Sequence, residues 1–263
     1  MNPITNHSES APLTTLHQDI YDFERYTKDP TNWYKQIPHL YLGQKLEFDE
    51  QRQTVVVITG TSAAGKDRVI DETAQVGVPW TFATTGTSRS QRSDEVDGKY
   101  IWFRPQHKGE SWDQYKRNIY DEYNLIEADE HYGNFYGLPL ASLQKVMERN
   151  GVIPLIRTDV NGAITIQERL SDRYNVVVIT ILPDALSQMH DEVKKRAIAE
   201  GQDAEQRIKE DMEKLKLYPT VTNFYLLNSR LEYQFREHQM SGLDLSINAI
   251  MELLKELNLL YIA

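Results

Sequence analysis

From residue 54 onwards, the hydrophobic and polar positions alternate between strand-like and helix-like patterns. Residues 54–59 form a β-branched run between polar segments, which predicts a buried strand. Helical spacing follows at about residues 66–74 and again at 243–260. Further buried strands are predicted at residues 79–84, 152–156, 176–182 and 224–227. Strands that alternate with helices predict an α/β fold, in which a parallel sheet is covered by helices on both faces.

Three stretches depart from this alternation. Residues 86–137 hold short aromatic and polar segments, and residues 191–216 are a highly charged helical stretch. Insertions of this kind on a parallel core predict a substrate-binding subdomain and a mobile lid. Residues 1–52 begin polar and become rich in aromatics, so we expect a partly disordered N-terminal extension whose later part packs on the main domain at 53–263.

Composition excludes several classes of protein. The chain has 263 residues, 40% hydrophobic and 26% charged, as in an ordinary soluble globular protein. Its apolar runs of about seven residues or fewer fall far short of a membrane span, and the N-terminus lacks a secretory pattern, so a cytoplasmic protein is expected. The absence of cysteine excludes disulfides and cysteine–zinc sites. A net charge of −10 argues against duplex nucleic acid as the main partner, but it is compatible with a small anion in a local positive pocket.

A glycine-bearing loop joins the first buried strand to the first helix. It has the spacing G-x-x-x-x-G-K, in the strand–loop–helix context that a phosphate-binding loop requires. Its backbone N–H groups and the positive end of the helix are expected to bind the phosphates of a nucleoside triphosphate, and Lys66 to follow the transferring phosphoryl group. The alternative is a glycine-bearing turn with an incidental lysine. The loop residues are Gly60, Thr61, Ser62, Ala63, Ala64, Gly65 and Lys66.

Asp67 stands where this motif normally has a Ser or Thr whose hydroxyl ligates Mg²⁺. Two interpretations are open. The carboxylate is itself a ligand of Mg²⁺, which is the expected metal cofactor. Alternatively, it only favours the helix N-terminus through its negative charge.

Two arginines, Arg89 and Arg92, follow the second predicted strand three residues apart. Guanidinium groups donate paired hydrogen bonds to phosphate oxygens, so the pair suits an anionic group. Taken alone, such a pair is typical of solvated surface charge. The same region continues to Tyr100, and residues 125–137 read L-I-E-A-D-E-H-Y-G-N-F-Y-G.

Together with R-T-D-V-N-G at residues 157–162, these segments resemble the guanylate kinase family, in the right order over about residues 53–260. The resemblance implies a three-layer P-loop kinase fold with a parallel central sheet, a nucleoside monophosphate-binding insertion at about 86–137 and a helical lid at about 191–216. It also implies ATP-dependent phosphoryl transfer to a nucleoside monophosphate, with GMP or dGMP as the expected acceptor.

The resemblance further implies a role for individual residues. Glu127 would accept hydrogen bonds from the guanine ring N–H and exocyclic amine. Thr85 matches a hydroxyl near the base, and Asp159 matches an acid beside the acceptor. The residues expected to bind the acceptor phosphate are Arg89, Arg92, Tyr100 and Tyr136, and those expected to act as catalytic cations are Lys66, Arg89, Arg196 and Arg207.

Several positions depart from the family pattern. Leu138 replaces a Ser or Thr that helps to recognise the guanine carbonyl, and Arg157 replaces the first acid of a D-x-D element. Glu200 and Asp211 stand where the family has lid arginines. Two other hypotheses therefore stay open. One is a kinase for another (deoxy)nucleotide or a sugar phosphate, and the other is a binding module that has lost catalysis.

Overall fold

The structure of the protein is a computed structural model. It describes residues 40–61, 64–91, 100–131, 133–183, 191, 193–195, 198, 204–228, 232–235 and 238–260.

A central six-stranded sheet has the strand order β1-β10-β9-β2-β8-β3. All neighbouring strands pair in parallel except β1, which pairs antiparallel with β10 at one edge. The central strand β2 lies between β8 and β9, so the chain passes to both sides of it. The strands are β1 Leu40–Leu42, β2 Thr54–Gly60, β3 Trp80–Phe82, β8 Ile153–Arg157, β9 Asn175–Leu182 and β10 Phe224–Leu227.

Helices cover both faces of this sheet, because its strands are apolar on both sides. Val55 and Val57 of β2 belong to one hydrophobic core, and Val56 and Ile58 belong to the other. The predicted α/β architecture with a parallel-rich sheet is therefore confirmed. The helices are α1 Lys66–Gln75, α2 Trp112–Glu122, α3 Leu140–Met147, α4 Val160–Leu170, α5 Ala204–Leu215 and α6 Gly242–Glu256, with a 3₁₀ turn at Tyr218–Thr220.

Strand β1 comes from the segment 1–52 that the sequence sets apart. Leu40 is buried in the same core as Val56, so this strand is part of the main domain's packing. Hydrogen bonds from Asn175 on β9 also connect this segment to the main domain. The Asn175 side chain accepts from the backbone N–H of Asp49 and donates to the carbonyl oxygens of Asp49 and Arg52. Residues 1–39 lie outside the described part of the chain.

The insertion forms a sheet of its own with the strand order β5-β4-β7-β6. Helix α2 packs on one face, where Phe103, Ile119 and Phe135 form a separate apolar cluster. Ile126 and Leu138 instead belong to the main core, so they anchor the insertion to the central sheet. The strands are β4 Gly86–Thr87, β5 Ile101–Trp102, β6 Leu125–His131 and β7 Asn134–Pro139.

Helix α5 lies within the predicted lid and rests on the main core through Leu215, with Ile208 and Met212 packed beside it. After β10 the chain forms a hairpin of β11 Glu232–Phe235 and β12 His238–Ser241, and α6 follows. None of the helices in the described part of the chain has the length and hydropathy that a bilayer-spanning segment requires.

Candidate active site

The phosphate loop begins at the carboxyl end of β2, where a parallel sheet normally binds its ligands. Gly60 has φ of 147°, and a Cβ atom there would clash with the carbonyl oxygen of Ile181 on β9. Gly65 has φ of 79° in the left-handed region and is the residue before helix α1. Both positions therefore require glycine, and the backbone can curl as the motif predicts.

Lys66 is folded back over this loop. Its Nζ donates to the carbonyl oxygens of Gly60 and Thr61, each at 2.9 Å. No side chain in the described part of the chain caps the amino end of α1. The loop, the helix end and the half-buried ammonium group thus form a positive cradle that suits a polyphosphate. Ser62 and Ala63 lie outside the described residues.

Asn228, which the sequence did not predict as a site residue, follows β10 directly and stabilises the loop by hydrogen bonds. Its Nδ2 donates to the Ala64 carbonyl oxygen at 2.8 Å, and its backbone N–H donates to Leu182 at 2.8 Å. A Cβ atom on Gly65 would clash with the same Nδ2. The available signal was a polar side chain directly after the strand at 224–227, at the ligand-binding edge of the sheet.

We expect the Asn228→Ala variant to bind ATP about fivefold more weakly, because one neutral hydrogen bond contributes about 1 kcal/mol. Isothermal titration calorimetry measures the change. Asn248→Ala, on the exposed side of α6, is the matched control and should bind ATP like the unmodified protein. An unchanged affinity in Asn228→Ala would show that the loop holds its shape without this hydrogen bond.

Asp67, in the first turn of α1, forms an ion pair with Arg157, the last residue of β8. Arg157 Nη1 donates to Asp67 Oδ1, and both side chains are largely exposed. Two of the residues that depart from the expected pattern therefore contact each other. The sequence did not predict this contact, since the two residues are 90 positions apart.

Strand register brings two predicted acceptor residues to one face of the insertion sheet. Tyr136 pairs with Asp129 and with Thr87, so these three side chains share a face. Glu127 is two residues from Asp129 on β6 and lies on the same face. Helix α2 covers the opposite face, so the face with Glu127 and Tyr136 is the one left for a ligand.

Arg89 lies beside the same face. Its guanidinium carbon is 4.9 Å from the centre of the Tyr100 ring and 5.5 Å from that of Trp102. Cation–π attraction to two aromatic rings holds this guanidinium in place, and its Nη1 donates to the Ser90 carbonyl oxygen at 3.0 Å. A guanidinium held in this way is a cation of the kind that binds phosphate. Trp102 was missed by the sequence reasoning, although its spacing of two from Tyr100 on a strand was a usable signal. Thr85 is half-buried just before β4, and its carbonyl accepts from Ile101 N–H at 3.0 Å.

Asp159 connects the core to helix α5. Its Oδ1 caps α4 by accepting from Gly162 N–H at 3.0 Å, and its Oδ2 accepts from Lys214 Nζ at 2.7 Å. Lys214 is a further cation that the sequence reasoning missed. The predicted Arg92 and Arg196, the departure Glu200, and the side chains of Arg207 and Asp211 lie outside the described residues.

Leu138 is 1% exposed and packs in the main core. It pairs with Glu127 across β6 and β7, so it lies next to the carboxylate expected to read the base. An alkyl side chain at this point offers no hydrogen bond to a base carbonyl. Of these two paired residues, Glu127 is therefore the one whose side chain can hydrogen-bond to a ligand on this face.

An ion-pair network fixes the segment that leads into α2. Arg104 donates to both carboxylate oxygens of Glu110, at 2.9 and 3.0 Å, and its Nε donates to Glu122 at 3.1 Å. The hydrogen bonds from Arg104, followed by that from His107 N–H, lower the pKa of Glu110 to about 2. The Arg104 and Glu110 side chains are 19% and 8% exposed, whereas Glu122 is 48% exposed, so only the Arg104–Glu110 pair is shielded from water.

Because folding lowers the pKa of Glu110 from 4.5 to about 2, its contribution to stability is present above pH 4.5 and is lost as the pH falls towards 2. We expect the unmodified protein to melt at a higher temperature than Glu110→Gln at pH 6, with the gap narrowing below pH 4.5. Thermal unfolding from pH 6 to pH 3 measures it. A gap that does not vary with pH would contradict the assignment.

Comparison with known proteins finds similarity to one protein family. A family model described as guanylate kinase matches residues 52–238, more than half of the chain. A guanylate kinase from Clostridium perfringens is 26% identical over 183 residues, which cover 70% of this chain and 79% of the relative. One from Clostridium acetobutylicum is 29% identical over 182 residues, with 68% and 79% covered. A solved guanylate kinase from Anaplasma phagocytophilum shares the fold at a TM-score of 0.50 and 20% identity, covering 79% of this chain and 87% of that chain.

Proposed function

Because the chain belongs to the guanylate kinase family, we propose that it transfers the γ-phosphoryl group of ATP to GMP or dGMP. The observation that carries the proposal is the phosphate cradle formed by Lys66, the two required glycines and the uncapped start of α1. A binding module without catalysis has no use for such a cradle, so the geometry favours an enzyme.

The acceptor binds on the open face of the insertion sheet. There Arg89 offers a stacked guanidinium for a phosphate, and Tyr136 lies on the same face as the Glu127 carboxylate. A cation and a carboxylate on one face match a ligand that carries a phosphate at one end and paired N–H donors at the other. Guanine has such a pair of donors. Tyr100 holds Arg89 and lines the phosphate end, and Thr85 and Arg92 complete the acceptor site.

Magnesium fits this site through Asp67. Mg²⁺ takes one or two carboxylates and completes its shell with phosphate oxygens and water. Asp67 has one oxygen paired with Arg157 and lies beside the cradle in an exposed position. In the described part of the chain no group of three or more acidic or histidine side chains is arranged to hold a metal. When bound, the ion neutralises charge on the phosphate oxygens.

The reaction needs no covalent intermediate on the protein. A phosphate oxygen of the acceptor bonds to the γ-phosphorus of ATP as the bond to the β–γ bridging oxygen breaks, giving ADP and a nucleoside diphosphate. Lys66 and the loop N–H groups stabilise the donor phosphates, and Arg89 holds the acceptor phosphate in line. Asp159 is the acid that we propose beside the acceptor, and its ion pair with Lys214 connects it to α5. Arg196 and Arg207 are the further cations that we propose for charge neutralisation during transfer.

A coupled assay of ADP release with ATP, Mg²⁺ and a panel of monophosphates tests the proposal. We expect ADP to form with GMP or dGMP and much more slowly with AMP, CMP, UMP or dTMP. Release of ADP only with a different acceptor would assign another substrate to the same site. No release with any acceptor, in a protein that binds ATP, would identify a binding module.

A further inference from the structure

The Asp67–Arg157 ion pair joins the first turn of α1 to the carboxyl end of β8. The Asp67 side chain is 68% exposed and the Arg157 side chain is 44% exposed, so neither group is fixed by burial. Within the described residues, Asp67 is the ion-pair partner of Arg157. An exposed ion pair of this kind adds little to the free energy of unfolding, so stability does not explain it. Its location beside the phosphate loop is the more informative property.

Both members lie at the edge of the sheet that carries the phosphate cradle. Arg157 pairs with Ile58 on β2, only two residues before Gly60 opens the loop. Asp67 follows Lys66 directly, in the first turn of the helix whose positive end faces the loop. The guanidinium of Arg157 is therefore a second cation beside Lys66.

The charges at this edge add up in favour of an anion. Asp67 alone would repel a triphosphate that reached the loop without a metal. Arg157 cancels that charge through one N–H group, and a guanidinium has five such donors. Lys66, Asp67 and Arg157 together carry one net positive charge. Among the described residues, Asp67 is the group that Arg157 contacts, so its other donors can bind a phosphate oxygen in the paired geometry that guanidinium groups favour.

We propose that Arg157 is a second phosphate-binding cation of the donor site, and that its pairing with Asp67 lets the loop hold a nucleoside triphosphate with reduced dependence on a divalent cation. The inference rests on the proposed function, because it takes the loop as the ATP site. It assigns Arg157 a task in place of the acid that the family pattern has at this position.

Calorimetric titration with ATP, without acceptor, in Mg²⁺ and separately in EDTA tests this inference. Loss of a charge-assisted hydrogen bond should weaken ATP binding by Arg157→Gln about tenfold in EDTA. The loss should be smaller in Mg²⁺, because the metal already neutralises part of the triphosphate. Arg157→Lys, which keeps the charge, should retain most of the affinity in EDTA.

Asp67→Asn should have the opposite effect. Without its carboxylate, Arg157 is released to the phosphates, so ATP should bind more tightly in EDTA and more weakly in Mg²⁺. Arg173→Gln removes another exposed arginine, three residues beyond the carboxyl end of α4, and should change neither constant. Melting temperatures establish that each variant is folded. If Arg157→Gln destabilises the protein, Asp67→Asn and Arg157→Lys test the inference instead. For these variants too, the ratio of the ATP dissociation constants in EDTA and in Mg²⁺ is compared with that of the unmodified protein.

Two results would overturn the inference. One is unchanged ATP affinity of Arg157→Gln in EDTA, and the other is an equal fold loss of affinity in Mg²⁺ and in EDTA, which a purely structural role for Arg157 predicts. Failure of the ATP site itself gives a different result, because the unmodified protein would then bind ATP in neither solution. A different acceptor, or no acceptor, would appear in the ADP-release assay and would leave these two dissociation constants unaffected.

Discussion

The Lys66→Ala variant is expected to lose about a thousandfold or more in kcat, while its fold stays intact. The Lys66 ammonium group lies over the loop, held by two carbonyl oxygens at 2.9 Å, and is the nearest described cation to the loop backbone. Loss of this charge removes stabilisation that grows as the phosphoryl group transfers. Steady-state ADP release with saturating ATP and GMP measures kcat, and circular dichroism with thermal melting measures the fold.

Lys145→Ala is the matched control for this variant. Lys145 lies in the last turn of α3 with an exposed side chain, away from the loop. Its removal takes the same charge from the protein and should leave kcat unchanged. Normal turnover by folded Lys66→Ala would exclude Lys66 from the chemistry and would remove the main support for a kinase.

The central strands could be predicted from sequence because a parallel sheet buries both faces of each strand. Such strands appear as continuous apolar runs with no polar alternation. The run predicted at residues 54–59 is β2 Thr54–Gly60, and the run at 224–227 is β10 within the same bounds. Burial on both sides is a strong local signal, and it needs no knowledge of the partner strands.

The insertion gave no comparable signal. Its strands β4 and β5 have two residues each, too few to show a period. Its apolar cluster combines Phe103, Ile119 and Phe135, which come from a loop, a helix and a strand. Strand β1 was missed for a similar reason, since three residues at a sheet edge pair with β10 through contacts distant in sequence.

The candidate site likewise has one part that the sequence predicts and one part that it does not. The G-x-x-x-x-G-K spacing predicts the loop because its residues are consecutive, and the geometry of Gly60 and Gly65 agrees with it. The contacts that support the loop are made by side chains far away in sequence. Asn228 bonds to Ala64 across 164 residues, and Arg157 reaches Asp67 across 90. Polar residues after strands mark the correct edge of the sheet, but they do not indicate which of them pair.

Base selectivity should depend strongly on Glu127. The hydroxyl that the family pattern places after Gly137 is replaced by Leu138, which is buried and offers no hydrogen bond to a base carbonyl. The half-buried Glu127 on the adjacent strand position is then the group expected to distinguish guanine, by accepting from its two N–H donors. An amide in its place has a single acceptor and turns its own N–H groups towards those of the base.

We therefore expect Glu127→Gln to lower kcat/KM for GMP about a hundredfold, because hydrogen bonds to a charged group contribute about 1.5–3 kcal/mol. Activity with AMP should change little, so the ratio of the two constants measures the role of the carboxylate. Glu130→Gln is the control, since Glu130 lies on the same strand with its side chain on the opposite face, paired with Lys116. Equal losses for GMP and AMP in Glu127→Gln would remove Glu127 from base recognition and return that task to its neighbours on the sheet.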